Sequence, residues 1–222
     1  MWTVLFDIDG TLIRTQGVGM GALGQAIAEV YGHTETPEIP LHGRTDRGII
    51  TELFQLLNID CNGDYSDFLD TYCKMLKTSL KSNGGTVLPG VKEVLEQLKS
   101  RPNVALGILT GNAQKAAKIK LDHFGLSEYF LFGGYGDDSC DRNDVAAQAA
   151  SAAAEFLQDG YDKNKVWVLG DTVNDILCGR SIGAKVIALE TGGGSRKKLL
   201  EYRPEFLWKD LTRVSSWVDS LS

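Results

Sequence analysis

Asp7 and Asp9 stand two residues apart in VLFDIDGTLI, residues 4–13, where an apolar run ends. In an extended chain, residues i and i+2 project to the same side, about 6.6–6.8 Å apart. The two carboxylates can therefore face one place while Ile8 packs away from it. On this stretch alone, a turn built on Asp9, Gly10 and Thr11 explains the residues equally well. Two later strand ends shift the balance. LGILTGN brings Thr110, Gly111 and Asn112, and VWVLGDTVND brings Asp171 and Asp175. In open α/β sheets, ligands bind in the crevice beyond the carboxyl ends of the strands, so polar groups gathered there are what a site requires. Each has a plainer reading as well. Thr110 and Asn112 could cap the following helix, and Asp175 could stabilise a helix N-terminus. Asp171, between Gly170 and Thr172, is harder to explain away, because its neighbours suit a tight loop facing a ligand.

Four converging carboxylates repel one another. Two unit charges 4 Å apart cost about 4 kcal/mol at an effective dielectric of about 20. Such a site holds a cation or keeps some of its acids protonated. Donors that are all oxygen suit a hard cation, and Mg²⁺ characteristically takes a few carboxylates while keeping waters and substrate phosphate. Because a carboxylate is ionised at neutral pH, Asp7 could attack phosphorus without a base to activate it. Mg²⁺ would offset the repulsion between the two anions.

The elements that must position these residues read as short apolar runs alternating with helix-like stretches. Strands are expected at 3–7, 104–109, 130–134, 166–169 and 186–189, mostly continuous rather than alternating, as in a parallel sheet covered on both faces. Val91, Val94, Leu95 and Leu98 share one helical face, and Ala113, Ala117, Leu121 and Phe124 another. Residues 145–157 are rich in alanine and read as helix. The expected fold class is α/β, a doubly wound parallel sheet. Residues 16–85 break the rhythm, with no convincing strand but apolar residues at helical spacing: Leu23, Ala26, Ile27, Val30 and Tyr31, then Leu69, Tyr72, Leu76 and Leu80. Flanked by GVGMG and SNGGTVLPG, they read as a helical cap inserted after the first strand, which leaves 1–15 and 86–222 as the core. GGGS at 192–195 reads as a turn, with Ser195 capping the next helix.

Composition narrows the function classes. The chain has 222 residues, is 43% hydrophobic and 23% charged, and carries a net charge of −6. A nucleic-acid binder needs a basic stripe to track phosphates, which argues against that class; a small anionic substrate remains compatible. Cys61, Cys73, Cys140 and Cys178 form no C-x-x-C pair, and His33, His42 and His123 lie near no cysteine at ligand spacing. Zinc is therefore not expected, and free reduced thiols are. No basic N-terminal region precedes Asp7, and no apolar run approaches the roughly 20 residues that span a bilayer. The expectation is a cytoplasmic protein that engages no membrane.

DIDGTLI, LTGN and GDTVND, in this order and at strand ends, resemble three signature motifs of the haloacid dehalogenase-like superfamily. The resemblance covers the expected core, and the insert resembles that superfamily's helical C1-type cap. It implies that Asp7 is the nucleophile and becomes an aspartyl-phosphate. Asp9 would protonate the leaving oxygen and then take a proton from water. Thr110, with the amides of Gly111 and Asn112, would bind phosphoryl oxygens. Mg²⁺ would be held by Asp7, the Asp9 carbonyl and Asp171, with Asp175 supporting. Members with this cap usually carry a lysine in the loop after the third core strand. Here the region reads GDDSCDRNDV, and Arg142 takes the equivalent place, always ionised and able to offer phosphate two donors. Lys120 is the rival, but at 1.5 Å per residue it lies roughly 12 Å along a helix starting near Asn112, which favours Arg142. Asp137, Asp138 and Asp141 read as a solvated loop. In LHGRTDRG, Arg44 with Thr45 and Asp46 either closes over the substrate's non-phosphate end or is solvated charge at a helix start, and His42 reads as incidental.

A Mg²⁺-dependent phosphatase of a small phosphorylated metabolite leads. A hydrolytic dehalogenase needs neither Asp9 nor a metal. A β-phosphoglucomutase-like enzyme shares these core residues and stays open. A phospho-aspartate switch like a receiver domain would be shorter, without the cap. A pseudo-enzyme binding module would be expected to lose Asp7, Asp9 or Asp171. The particular substrate and the oligomeric state are not legible.

Overall fold

Burial on both faces organises the centre of the molecule. The computed structural model describes residues 1–60 and 65–221. In chain order, β1 (Trp2–Phe6) leads to the two-residue β2 (Ile13–Arg14), three helices α1 (Val18–Tyr31), α2 (Asp46–Leu56) and α3 (Ser66–Asn83), and the two-residue β3 (Thr86–Val87). There follow α4 (Val91–Lys99), β4 (Val104–Leu109), α5 (Gln114–Phe124), β5 (Phe132–Gly134), α6 (Arg142–Leu157) and β6 (Val166–Gly170). The chain ends with α7 (Val173–Ser181), β7 (Lys185–Leu189), α8 (Arg196–Glu201), β8 (Phe206–Trp208) and α9 (Ser215–Asp219). Six of these strands form one sheet in the order β5-β4-β1-β6-β7-β8, with every pairing parallel. This is the expected doubly wound α/β sheet.

Successive side chains of the inner strands enter different cores, as a period of two requires. Val4, Phe6, Trp167, Leu169, Ile187 and Leu189 join α4, α5 and α9 on one face. Leu5, Val166, Val168, Val186 and Ala188 join α6 and α7 on the other. With both faces apolar, the buried carboxylates appear where the strands stop. Because β1 pairs with β4 and β6 in register, Phe6 opposite both Ile108 and Leu169, those stops lie side by side. The chain first winds from β1 to β4 and β5, then returns to β6 on the other side, which places the switch point of the sheet at β1.

The inner strands fall within a residue or two of their expected bounds. β8 was not expected: it is three residues long, follows Pro204 and lies at the sheet's edge. Between β2 and β3 the helices α1, α2 and α3 build their own apolar cluster, with Leu23, Ile27, Leu53, Phe68, Leu76 and Leu80 buried together. Ala113 and Ala116 belong to that cluster, so the inserted helices pack on the start of α5. β2 and β3 pair antiparallel, Ile13 with Val87 and Arg14 with Thr86, and tie the chain's departure to its return. Cys73, Cys140 and Cys178 are free thiols, and Cys61 lies outside the described residues. Among the described residues no helix is long and apolar enough to cross a membrane.

Leu95 on α4 is fully buried against the sheet. Leu95→Ala is expected to lower unfolding stability by roughly 2–5 kcal/mol, read as a fall in the urea midpoint at constant slope.

Candidate active site

Asp7 is the first residue beyond β1, and its N–H donates to the Leu169 carbonyl at 2.9 Å. Its side chain is nearly buried. Asp171 follows β6, and Asp175 lies in the first turn of α7. The three each bring a carboxylate oxygen to within 4.8 Å of one another. Two glycines make room for this. Gly10 has φ +85°, and a Cβ there would lie 2.7 Å from the Asp171 carboxyl carbon; a Cβ on Gly192 would lie 1.8 Å from Asp171 Oδ2. The stretch read as a plain turn therefore cradles an acid, and the Gly193 N–H donates to Asp171 Oδ2 at 2.7 Å. Ser195 caps α8 as expected.

Asp175 has both the plain role and the charged one. It forms a capping box with Thr172, accepting from the Thr172 N–H at 2.9 Å and from Oγ1 at 2.7 Å. It also accepts from the guanidinium of Arg142. Arg142 opens α6, is buried, and places its other terminal nitrogen 3.7 Å from Asp7 Oδ1. Its Nε has no partner among the described residues. Burial and the neighbouring Asp175 hold the Asp7 carboxyl well above the usual aspartate range, with Arg142 opposing. The same two causes push Asp171 up to about 7, opposed by the Gly193 N–H. Burial alone would lower the Arg142 pKa, yet Asp175 and Asp7 hold it above the ordinary guanidinium value.

Asp9 goes elsewhere. Its Oδ2 accepts from Lys120 Nζ at 2.6 Å and from Asn112 Nδ2 at 2.8 Å, and Lys120 also donates to Asn112 Oδ1 at 2.6 Å. The expectation that Lys120 lies too far from the strand ends is thus corrected. The axial count from the helix start neglected that helical side chains lean toward the N-terminus, and α5 begins only at Gln114. Both cations reach the site, Arg142 at Asp7 and Asp175, Lys120 at Asp9. Thr110 is buried and accepts from Asn112 Nδ2 at 2.8 Å. Neither Thr110 nor Asn112 caps α5. The Ala113 N–H donates to Asp46 and the Gln114 N–H to Asp137, each at 2.8 Å.

The inserted helices close the other side. The Asp46 N–H donates to the Gly111 carbonyl at 2.6 Å, and Arg47 N–H to Gly136 at 3.1 Å. A Cβ on Gly111 would meet the Arg44 carbonyl at 1.9 Å. The Arg44 guanidinium itself turns to partners within the insert, Glu52 at 2.6 Å and the carbonyls of Pro40 and Gly48 at 3.0 and 3.2 Å. Between insert and sheet lies a cavity of about 260 Å³ that reaches from Asp7, Thr110 and Arg142 to Met20, Leu23 and Tyr72. His42, read as incidental, lines it and lies against Gly193. Asp46, named with Arg44 and Thr45 in LHGRTDRG, lines the cavity, whereas nothing in the local pattern of Tyr72 or Gly193 tells a cavity wall from a helix face or a turn.

Oxygen donors from Asp7, Asp171 and Asp175, with Arg142 as their cation, suit a hard divalent ion. Residues 4–189 match the model of the haloacid dehalogenase-like hydrolases. The chain is 25% identical to the pyrophosphatase PpaX of Bacillus pumilus, over 95% of this chain and 93% of that one. It is 27% identical to a phosphoglycolate phosphatase of Haemophilus influenzae, over 95% of both chains. The structure of CbbY from Rhodobacter sphaeroides in complex with phosphate shares the fold, with a TM-score of 0.75 at 16% identity, covering 99% of this chain and 100% of that one.

Because Asp171 titrates higher when folded than the roughly 3.9 of a free aspartate, the metal-free native state holds its proton longer than the unfolded chain does. The contribution is full below about pH 4 and is lost as pH rises through about 7. Metal-free wild type is expected to lose melting temperature relative to Asp171→Asn between pH 4 and 8, with Mg²⁺ restoring it at pH 8. A constant gap across that range would refute the assignment.

Proposed function

Because the chain belongs to the haloacid dehalogenase-like hydrolases, we propose that it is a Mg²⁺-dependent phosphatase of a small phosphorylated metabolite, working through an aspartyl-phosphate on Asp7. The observation that carries this reading is the separation of the two N-terminal acids: Asp7 sits with Asp171, Asp175 and Arg142, and Asp9 with Lys120 and Asn112. Two carboxylates with different neighbours can take different roles, one as nucleophile and one as proton carrier. Residues 16–85 act as the cap that selects the substrate, and 1–15 with 86–222 as the core. The free thiols of the described cysteines suit a cytoplasmic setting.

Mg²⁺, held by Asp7, the Asp9 carbonyl and Asp171 with Asp175 in support, would supply the positive charge that offsets repulsion between carboxylate and phosphate. The chain's own residues do the rest. Arg142, Thr110 and the amides of Gly111 and Asn112 hold the phosphoryl oxygens. A carboxylate oxygen of Asp7 attacks phosphorus, and the bond to the substrate's alcohol oxygen breaks as Asp9 gives that oxygen a proton. Lys120 and Asn112 occupy Asp9 Oδ2, while Oδ1 has no partner among the described residues and is the oxygen free to carry the proton. Asp9 then takes a proton from water, the water oxygen attacks phosphorus, the bond to Asp7 breaks, and inorganic phosphate leaves. Both acids end as they began.

Asp7→Asn is expected to abolish release of inorganic phosphate from p-nitrophenyl phosphate in Mg²⁺ while the circular dichroism spectrum is kept; near-normal release would end the nucleophile assignment. Asp9→Asn is expected to lower kcat on an alkyl phosphate by roughly 10²–10⁴. Its effect on p-nitrophenyl phosphate should be smaller, since that leaving group needs less protonation. Equal losses on the two esters would remove Asp9 as the proton donor.

A further inference from the structure

The end of the cavity formed by the insert has a chemistry of its own. Its wall there is aliphatic, with Met20 and Leu23 from α1, Leu41, and Ile49 from α2. Into it stands Tyr72 of α3, only 4% exposed. Tyr72 makes no hydrogen bond among the described residues, and its Oη is not fully enclosed but opens on the cavity, where a ligand can bond it. Gly19 of α1 marks the spot, since the point where its Cβ would stand lies 3.8 Å from both Tyr72 Oη and Lys120 Nζ.

Charge is spoken for at this end. Lys120 is paired with Asp9 at 2.6 Å and Arg44 with Glu52 at 2.6 Å. Among the described residues that line the insert side, no lysine or arginine is left unpaired for a second anionic group, and such a group would face the Asp46 carboxylate. A sugar with many hydroxyls fares little better, because most of them would lie against Met20, Leu23, Leu41 and Ile49 without partners. The volume of about 260 Å³ falls below the roughly 300–1,000 Å³ of pockets that bury drug-sized ligands, which leaves a nucleotide too large.

Resting on the phosphatase reading above, we infer that the substrate is the phosphate monoester of a neutral, compact, largely apolar alcohol carrying one further hydroxyl or carbonyl, which bonds Tyr72 Oη beside Gly19. The preference is set by what the cavity lacks, an unpaired lysine or arginine among the described residues, as much as by what it offers.

The test measures kcat and KM in Mg²⁺ for 4-hydroxybutyl phosphate, n-butyl phosphate, 2-phosphoglycolate, pyrophosphate and glucose 6-phosphate. Wild type is expected to prefer 4-hydroxybutyl phosphate, by at least about tenfold in kcat/KM over the two substrates with a second anionic group. Tyr72→Phe is expected to reduce the advantage of 4-hydroxybutyl over n-butyl phosphate roughly 3- to 10-fold, the scale of one uncharged hydrogen bond, through KM rather than kcat. Gly19→Ala places a methyl group at ordinary contact distance inside a helix. It should raise the melting temperature while raising KM for 4-hydroxybutyl phosphate, which separates blocking from unfolding. Fastest turnover of phosphoglycolate, pyrophosphate or glucose 6-phosphate, or an unchanged ratio in Tyr72→Phe, would overturn the inference and leave the phosphatase reading standing. No phosphate release from any ester would overturn both.

Discussion

Three carboxylates gathered within 4.8 Å of one another, nearly out of water, are the constraint to which the rest of the molecule answers. Burial favours the protonated forms of Asp7 and Asp171, and the neighbouring Asp175 adds to the cost of ionising them. The backbone gives them no room to part. Asp7 is pinned by the end of β1 and its hydrogen bond to Leu169, Asp175 by its capping box, and Asp171 by Gly193 and by the space left at Gly10 and Gly192. Arg142 offsets part of this charge through Asp175 and Asp7, yet its own Nε has no hydrogen-bond partner among the described residues. Buried ion pairs are weak evidence for stability, because desolvation can exceed the Coulombic gain. An arrangement that does little for folding is best understood as one kept for what it binds.

The second charge cluster makes the first intelligible. Asp7 and Asp9 are two residues apart in sequence, but the chain turns at Gly10 and their side chains end in different surroundings. The carboxylate of Asp7 shares a buried space with two other acids and a guanidinium. That of Asp9 is half-exposed and bridged to α5 by Lys120 and Asn112. The like charges closest in sequence are thereby given separate counter-ions.

Much of this was legible in the sequence, for a physical reason. A sheet covered on both faces shows as continuous apolar runs, and each run that stops at Asp, Thr or Asn announces the edge at which a site can form. Asp7, Asp9, Thr110, Asn112, Asp171 and Asp175 were found that way. What escaped depends on reach or on brevity. Lys120 was discounted by counting rise along a helix, although its stem leans back over the preceding turns. β2 and β3 are two residues each and β8 three, too short for any periodicity to register. Tyr72 fits the apolar stripe of α3 so well that its hydroxyl drew no notice; an apolar pattern reports that a side chain is covered and says nothing of what its polar tip meets.

The insert meets the core at the N-terminus of α5, and also where Asn174 Nδ2 donates to the Gly43 carbonyl at 2.7 Å and Tyr65 Oη to the Asp137 carbonyl at 2.6 Å. Helix α5 has no cap of its own, and its first amides are taken by Asp46 from the insert and Asp137 from the loop after β5. The same insert residue donates its N–H to Gly111, next to the amides proposed to hold phosphate. Were the insert to withdraw and admit a substrate, Ala113 N–H, Asn174 Nδ2 and the carbonyls of Gly111, Gly136 and Asp137 would lose their partners, each of which water can replace. The pairs Arg142–Asp175 and Lys120–Asp9 lie wholly within the core and would stay. The bonds that close the cavity are thus of a kind that solvent can exchange, and those that balance the charge are not. Parting the insert from the core would thus leave the charge pairs intact and would cost chiefly its apolar contact with Ala113 and Ala116.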